Sequence, residues 1–311
     1  MVWWNTVNKA VDPSSQEPIK VIIPKGLGVT DIGELLKEKG LIRNVWGFRV
    51  LVSRNKLKNQ LQAGSYTLTK SQNLEEIAQS LTKGVEDFWV TIPEGKRREE
   101  VAAILRESYV AQGLEFSIPA FMDASQGFEG YLFPDTYLLP RSITEEEIVS
   151  FLRSTFDKKV THDLSPRLQE AGLGVEEVII LASLIEREAK HKEDRAKIAG
   201  VVLNRLEIGM PLQIDASVQY AVGQAQCQGR EGQECNWWPV LRETTFSSPY
   251  NTYEHPGLPP APICNPGLSV IEAALNPEEH DYLYYLSEPS GVTHYAQTLE
   301  EHNANIEKYL N

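Results

Sequence analysis

The chain has 311 residues, of which 41% are hydrophobic and 23% charged, a composition typical of globular proteins with one large or two moderate domains. Its formal net charge is −13. This acidity argues against nucleic-acid binding, because phosphate groups are bound by basic surfaces. It also argues against adhesion to anionic lipid through overall charge, although it leaves room for a local basic patch.

We expect residues 1–18 to form a tail or linker. The sequence contains no stretch of about 20 apolar residues, so it includes no complete transmembrane helix. Trp3 and Trp4, followed by a polar stretch with Pro and Ser, resemble the interfacial end of a membrane helix and its linker. A frayed terminus with two incidental tryptophans is the alternative.

A V-x-I-P-x-G pattern occurs twice, at residues 21–26 and 90–95, and apolar residues at helical spacing follow each copy. Each copy therefore predicts a short strand, a Pro/Gly turn and an amphipathic helix. Between the copies, a strand around Tyr66–Leu68 precedes a helix that begins with a capping box formed by Asn73 and Glu76.

The fold class we expect is α+β, with a small LysM-like subdomain over residues 19–86 and a larger α+β domain over residues 87–311. The strand–helix units of the first part are similar to LysM modules, which bind glycan chains; a packing module without a ligand is the alternative. Downstream, three capping boxes predict helix starts, and a Pro/Gly turn predicts a hairpin. These signals are Thr144/Glu147, Ser269/Glu272, Thr298/Glu301 and the turn from Pro289 to Gly291.

The three cysteines are Cys227, Cys235 and Cys264. The first two lie in a Gly/Gln-rich loop and are close enough in sequence for a disulfide, which an oxidising compartment would permit. We favour this bridge, with Cys264 free, over two free surface thiols. A zinc site is not expected, because no second cysteine pair or histidine cluster has ligand spacing.

The segment VIILASLIEREAK, residues 178–190, runs from apolar residues into Glu186. On a helix, Ile179 and Ser183 lie on the same face as Glu186. If that face packs inward, the carboxyl is partly desolvated and its pKa rises, as a general acid requires. The alternative is an exposed i,i+4 ion pair between Glu186 and Lys190.

Glu188 lies on roughly the opposite side of this helix, so it is not expected to be the catalytic partner of Glu186.

Polar and aromatic residues in long loops suit a sugar chain, because they offer hydrogen bonds to hydroxyl groups and apolar contact to ring faces. Asp215 and Asn251 have structural alternatives, as the N-cap of a short helix and as a turn residue. The candidate substrate-binding residues are Glu129, Tyr131, Gln213, Asp215, Asn251, Thr252 and Tyr253.

The chain contains the segments EGYLFPDTY, LASLIEREA, NRLEIGMPLQIDASVQY, YNTYEHPGLPPAPICNPG and HYAQTLEEHN. Together, from about residue 19 to the C-terminus, they resemble the endolytic murein transglycosylases of the MltG (YceG-like) family. The resemblance implies a LysM-like subdomain and a catalytic transglycosylase domain over residues 87–311. It also implies a single-pass anchor in the bacterial cell membrane before Trp3, with this region extracytoplasmic.

The family's S-[IL]-[IV]-E-x-E motif places its catalytic glutamate on Glu186. The implied reaction is non-hydrolytic cleavage of the MurNAc–GlcNAc β-1,4 bond in nascent peptidoglycan, leaving a 1,6-anhydroMurNAc end and requiring one essential carboxyl. Gln213, Asp215 and Asn251 would help to stabilise the transition state. The implied partners are peptidoglycan strands, cell-wall synthases and the membrane, whereas no metal, organic cofactor or nucleic acid is expected.

The segment CQGREGQECNWWPVLRETTFSSP departs from the family's pattern. It is a Cys-bracketed insertion with Trp237 and Trp238, which would either shape one end of a cleft or be a surface elaboration. We expect the loops at residues 129–137 and 250–253 to border Glu186.

Two other functions stay open: a non-catalytic glycan-binding or scaffold protein of the cell-wall synthesis machinery, and a hydrolase with a second carboxylate.

Overall fold

The computed structural model describes residues 7–24, 26–82, 87–141, 143–230 and 234–310, so Trp3 and Trp4 lie outside the described residues. The chain forms two compact units, one from the described residues of Met1–Thr91 and Thr136–Ile143, the other from those of Ile92–Asp135 and Thr144–Asn311. Helices and small antiparallel sheets occur in both units, which confirms the α+β class. The ranges 1–18, 19–86 and 87–311 and the LysM-like assignment stay predictions.

Two antiparallel strand pairs belong to the first unit. Val21 and Ile23 are buried because alternate side chains of a strand point to the same face. Val21 lies opposite Tyr66 in the register, so the strand predicted around Tyr66 is confirmed. The pairs are β1 (Ile19–Ile23) with β2 (Gly64–Leu68), and β3 (Asp87–Thr91) with β4 (Thr136–Pro140).

Three helices share a core with β1 and β2: α1 (Val29–Glu38), α2 (Val45–Arg54) and α3 (Leu74–Ser80). The predicted capping box is confirmed at the start of α3, where Asn73 and Glu76 satisfy each other's backbone N–H groups. Both V-x-I-P-x-G copies also join the predicted strand to the predicted helix, and Lys25, in the turn of the first copy, lies outside the described residues. The first copy leads from β1 to α1, and the second leads from β3 to α4 (Arg98–Ala111).

Helices dominate the second unit. After α4, the helices are α5 (Ile118–Ala124), α6 (Glu145–Phe156), a π-helical turn (Asp157–His162), α7 (Ser165–Ala171), α8 (Val175–Glu188), a 3-10 turn (Lys192–Asp194), α9 (Arg195–Glu207), α10 (Asp215–Cys227), α11 (Leu268–Leu275) and α12 (Leu299–Tyr309). Val178–Ile185 of α8 is buried on every side, and α8 packs against α9, α10 and α11 in the main apolar core. The predicted hairpin is confirmed as β5 (Tyr284–Ser287) and β6 (Thr293–Ala296).

Two of the three predicted capping boxes in this unit are confirmed, at Thr144/Glu147 and Thr298/Glu301. The one at Ser269/Glu272 is wrong. α11 begins earlier, at Leu268, with Gly267 as its N-cap, and the Ser269 hydroxyl accepts a hydrogen bond from Arg195 instead. The alternative that Asp215 caps a helix is also wrong, because Ile214 is the N-cap and Asp215 is the first helical residue.

The disulfide between Cys227 and Cys235 is confirmed, and Cys264 is free and buried. The bond ties the end of α10 to the segment that follows it. Within the described parts of the chain, every helix is too short or too polar to cross a membrane.

Candidate active site

Glu186 lies in the last turn of α8, directly after the buried run Val178–Ile185. Only 9% of its side chain is exposed, and this burial raises the pKa of its carboxyl. The C-terminal end of a helix carries partial negative charge, which also disfavours a carboxylate there. The apolar run therefore presents a carboxyl that holds its proton to higher pH than a solvated glutamate would.

Among the described residues, a backbone N–H and a guanidinium lie against this carboxyl. The N–H of Gly267 donates to Oε2 of Glu186 at 2.9 Å, and a guanidinium nitrogen of Arg195 lies 3.8 Å from Oε1. Burial outweighs these contacts and the charge of Arg187, all of which favour the ionised form, so the pKa of Glu186 rises. The alternative ion pair with Lys190 is wrong, because Lys190 is exposed and lies beyond the end of α8.

Glu94 is a second carboxylate beside Glu186, and the sequence interpretation missed it. Its negative charge adds to the rise in the pKa of Glu186. A Cβ built on Gly267 would lie 2.1 Å from Cδ of Glu94, so the glycine leaves the space in which that carboxyl sits. A Cβ on Gly95, whose φ is 74°, would lie 3.3 Å from Cγ of Glu186. The sequence feature that could have pointed to Glu94 is its position directly before the glycine of the second V-x-I-P-x-G copy.

Glu129 lies in a buried polar network. Its Oε1 accepts hydrogen bonds from the N–H of Arg98 and from Nδ2 of Asn265, both at 3.2 Å. Burial, with the charge of Glu99, raises the pKa of Glu129 to about 8 against the opposing charges of two neighbouring arginines. Since Asn265 is two residues from Gly267, Glu129 helps to anchor the loop that reaches Glu186.

Three of the predicted substrate-binding side chains are used by the fold itself. The ring of Tyr131 packs edge-on against Phe156, with centroids 5.0 Å apart. Asn251 is fully buried, and its Nδ2 donates to two carbonyls of its own loop. The buried hydroxyl of Thr252 accepts from the N–H of Ile214 at 2.9 Å. Contact between these three side chains and a substrate stays a prediction.

Gln213, Asp215 and Tyr253 come together where two loops meet. The N–H of Gln213 donates to the Thr252 carbonyl at 3.1 Å, and the Tyr253 hydroxyl donates to Oδ1 of Asp215 at 2.6 Å. The side chains of Gln213 and Asp215 are exposed. Gln213 has a φ of 53°, a left-handed conformation that costs energy for any residue with a Cβ. The structure thus exposes the side-chain amide of Gln213 on a strained backbone.

The two glutamates at the end of α8 have different partners, as helical spacing predicts. The Tyr285 hydroxyl donates to Oε2 of Glu188 at 3.0 Å. Burial and the Tyr285 bond act in opposite directions on the pKa of Glu188, and with the charge of Asp215 added the pKa rises. The end of α8 therefore meets Gly267 through Glu186 and the Asp215 group through Glu188.

A model of the YceG-like family matches residues 21–308. The chain belongs to this family. An endolytic murein transglycosylase of Bacillus subtilis (strain 168) is 33% identical to it, over 96% of this chain and 87% of that protein. One of Streptococcus pneumoniae (serotype 2, strain D39) is 31% identical over 97% of this chain, which spans 60% of that relative's length.

A crystal structure at 2.6 Å of a putative yceG-like protein from Listeria monocytogenes has a TM-score of 0.60 to this chain. The two are 30% identical, and the match covers 93% of this chain and 99% of the other. The family fold is therefore present over nearly the whole chain.

Within this family fold, the Cys-bracketed segment packs against Arg187, the residue after Glu186. Nε1 of Trp238 donates to Oε2 of Glu100 at 3.0 Å, and the Arg187 guanidinium lies 3.8 Å from a ring centroid of Trp238. The carbonyl of Trp237 accepts from the guanidinium of Arg97 at 3.1 Å. Because Arg187 directly follows Glu186, these contacts favour the expectation that the segment shapes one end of a cleft.

Proposed function

We propose that this chain is an endolytic murein transglycosylase that cleaves the β-1,4 bond between MurNAc and GlcNAc in peptidoglycan strands. The observation that carries the proposal is the enclosed carboxyl of Glu186, whose pKa burial raises. Relatives from two bacteria with this printed name support the same reaction class. The chain then acts as a lyase-type enzyme that uses one glutamate as both acid and base.

Protonated Glu186 donates its proton to the glycosidic oxygen as the bond between that oxygen and C1 breaks. The bonding electron pair stays on the leaving oxygen, and positive charge develops at C1 and the ring oxygen. The muramoyl C6 hydroxyl then attacks C1 and gives its proton to the Glu186 carboxylate, which forms the 1,6-anhydro end. Glu186 begins and ends the cycle protonated, and no water is consumed.

Glu94 supplies negative charge next to the positive charge of the transition state. Its side chain is exposed whereas that of Glu186 is enclosed, and environments that differ in this way separate the roles of paired carboxyls. Gln213 and Asp215 bind sugar hydroxyls farther along the strand. Asn251 positions their loop, because its amide is fully used within the protein.

Glu94 also supports one alternative, which is hydrolysis of the same bond. A glycosidase with two carboxylates uses one as an acid and the other as a nucleophile or base. Hydrolysis leaves a reducing MurNAc end, whereas the transglycosylase leaves a 1,6-anhydroMurNAc end. A glycan-binding or scaffold protein without catalytic activity would leave the strands uncut.

The test is incubation of the purified chain with uncrosslinked glycan strands, followed by mass spectrometry of the products. Wild-type protein should release anhydromuropeptides, and Glu186→Gln should release none while keeping the wild-type Tm. Glu170→Gln, at an exposed glutamate on α7, is the matched control and should keep full activity. Equal activity of Glu186→Gln and wild type would refute the assignment, and reducing ends would establish the hydrolase instead.

We also propose, because of the family resemblance, that this reaction takes place on the outer face of the bacterial cell membrane. There, a single-pass N-terminal anchor holds the chain near cell-wall synthases, which supply nascent strands. Fractionation of cells that express the full-length protein should recover it with membranes. Protease added outside the membrane should degrade it, and protection from that protease would contradict the placement.

A further inference from the structure

A basic groove lies on the first unit of this acidic chain. Residues 39–74 contain seven Lys or Arg residues and no Asp or Glu, in a chain whose formal net charge is −13. A groove of about 1140 Å³ opens on this segment, and four of the cations line it. Charge segregated in this way is typical of a surface that meets phosphate groups. The four cations are Arg49, Arg54, Lys56 and Lys58.

One face of α2 forms much of the groove lining. Four of its residues recur at i, i+3, i+4 and i+7, which places them on a single helix face: Trp46, Arg49, Val50 and Ser53. The indole of Trp46 is 58% exposed. Asp31 is the one carboxylate among the described lining residues, and its Oδ2 accepts the N–H of Gly28 at 3.3 Å. The groove is therefore cationic, with an aromatic ring at its edge.

Lys56 places a cation in the groove at a left-handed backbone position that favours glycine. The N–H of Lys56 donates to the Ser53 carbonyl at 3.2 Å, and that of Leu57 donates to the Val52 carbonyl at 2.9 Å. This is the Schellman ending of a helix, in which glycine usually occupies the left-handed position. Lys56 holds that position with a φ of 55°. A strained residue of this kind points to a use for its side chain beyond ending the helix.

We propose that this groove docks on an anionic lipid bilayer, with phosphate headgroups between its cations and Trp46 at headgroup depth. Lys and Arg are attracted to the phosphates of anionic lipids, and an exposed indole prefers the membrane–water interface. The indole favours a bilayer over a soluble polyanion, which would offer it no apolar surroundings. The inference is independent of the proposed reaction, because it rests on the first unit alone.

Sedimentation of the full chain with vesicles of phosphatidylglycerol and phosphatidylcholine measures the binding. We expect binding to these vesicles and none to phosphatidylcholine alone. The binding should weaken as salt rises from about 0.1 M to about 1 M, because the Debye length shortens. Each cation contributes about fivefold in affinity, so the triple variant Arg49→Glu, Lys56→Glu, Lys58→Glu should bind about a hundredfold more weakly or worse.

The matched control changes net charge equally on the second unit. Lys158→Glu, Lys192→Glu and Arg230→Glu replace three exposed cations there, and this triple variant should keep most of the vesicle affinity. If both triple variants lost binding alike, the effect would come from net charge alone and the groove would be ruled out. Vesicle binding by the groove triple variant equal to that of wild type would overturn the proposal too.

A single substitution, Lys56→Gly, separates binding from folding. Glycine relieves the left-handed backbone, so Tm should rise, while loss of the cation should lower vesicle affinity about fivefold. Unchanged affinity in this variant would overturn the proposal, even if the triple variant failed to fold. Wild-type protein that bound soluble polyphosphate but not anionic vesicles would show a different ligand and overturn the bilayer assignment.

Discussion

The backbone N–H of Gly267 donates to Oε2 of Glu186 at 2.9 Å, which joins the start of α11 to the end of α8. This bond favours the carboxylate form of Glu186, whereas burial favours the protonated form. A carboxyl that gives up a proton and takes it back needs both forms within reach. Because Gly267 also borders Glu94, one glycine influences both carboxyl groups.

Glu94→Gln should lower the pKa of Glu186, because the negative charge of Glu94 raises it while Arg187 and Arg195 are unchanged. In the proposed mechanism protonated Glu186 is the reactive form, so we expect the rate to fall as pH rises through its pKa. In the variant this fall should begin at lower pH, and kcat should drop by about a hundredfold as the transition state loses charge stabilisation. pH profiles of kcat and of kcat/KM measure the two effects, and an unshifted alkaline limb would contradict the predicted pKa change.

Gly267→Ala should reproduce the pKa shift predicted for Glu94→Gln without altering any charge. The added Cβ would lie 2.1 Å from Cδ of Glu94, so the end of that flexible side chain must leave the space beside Gly267, and we expect its charge to act less on Glu186. The φ of Gly267 is −74°, which alanine adopts without strain, and the N–H bond to Glu186 is kept. We expect the same downward shift of the alkaline limb at an unchanged Tm. The double variant should show little further shift.

Glu129→Gln should stabilise the protein at alkaline pH. The folded pKa of Glu129 is raised from 4.5 to about 8, so its contribution to stability is present below pH 4.5 and lost as pH rises towards 8. The loss is on the order of 5 kcal/mol at about 1.4 kcal/mol per pKa unit. Glutamine keeps an oxygen for Arg98 and Asn265. Thermal unfolding should show a Tm gain above pH 8 that disappears below pH 4.5, and a gain independent of pH would contradict this cause.

Loss of the disulfide should weaken both the fold and substrate binding. Cys227 and Cys235 are 8 residues apart, and closing so short a loop stabilises the folded state by about 2–3 kcal/mol. The double variant Cys227→Ser, Cys235→Ser frees the segment that holds Trp238 against Arg187, so we expect a lower Tm and a higher KM. Trp238→Phe, which loses the hydrogen bond to Glu100, should raise KM with little change in Tm. An unchanged KM in both variants would show that the segment does not border the substrate.

Gln213→Gly should stabilise the fold and impair activity. Gln213 has a φ of 53°, and glycine at a left-handed position removes about 1 kcal/mol of strain. The same change removes an exposed amide that we assign to sugar binding, so KM should rise. Denaturant unfolding and steady-state kinetics check the two halves, and full activity would remove Gln213 from the site.

Helix starts were predictable where all the contacts are local. The capping boxes at Asn73 and Thr144 formed as expected, because each involves groups within four residues of one another. The box predicted at Ser269 failed because Arg195, from another helix, takes the Ser269 hydroxyl. A contact from a distant segment overrode a local preference.

The sequence by itself determined that an apolar run leads into Glu186 and that a helix there presents Glu186 and Glu188 to different sides, because helical spacing alone sets which residues share a face. It left open whether the face of Glu186 packs inward, and the structure decided that it does. Only the tertiary structure decided which groups meet these carboxyls. It brought Glu94 and Gly267 to Glu186 and directed the side-chain amide of Asn251 towards carbonyls of its own loop. Such contacts between distant segments depend on how the whole unit packs.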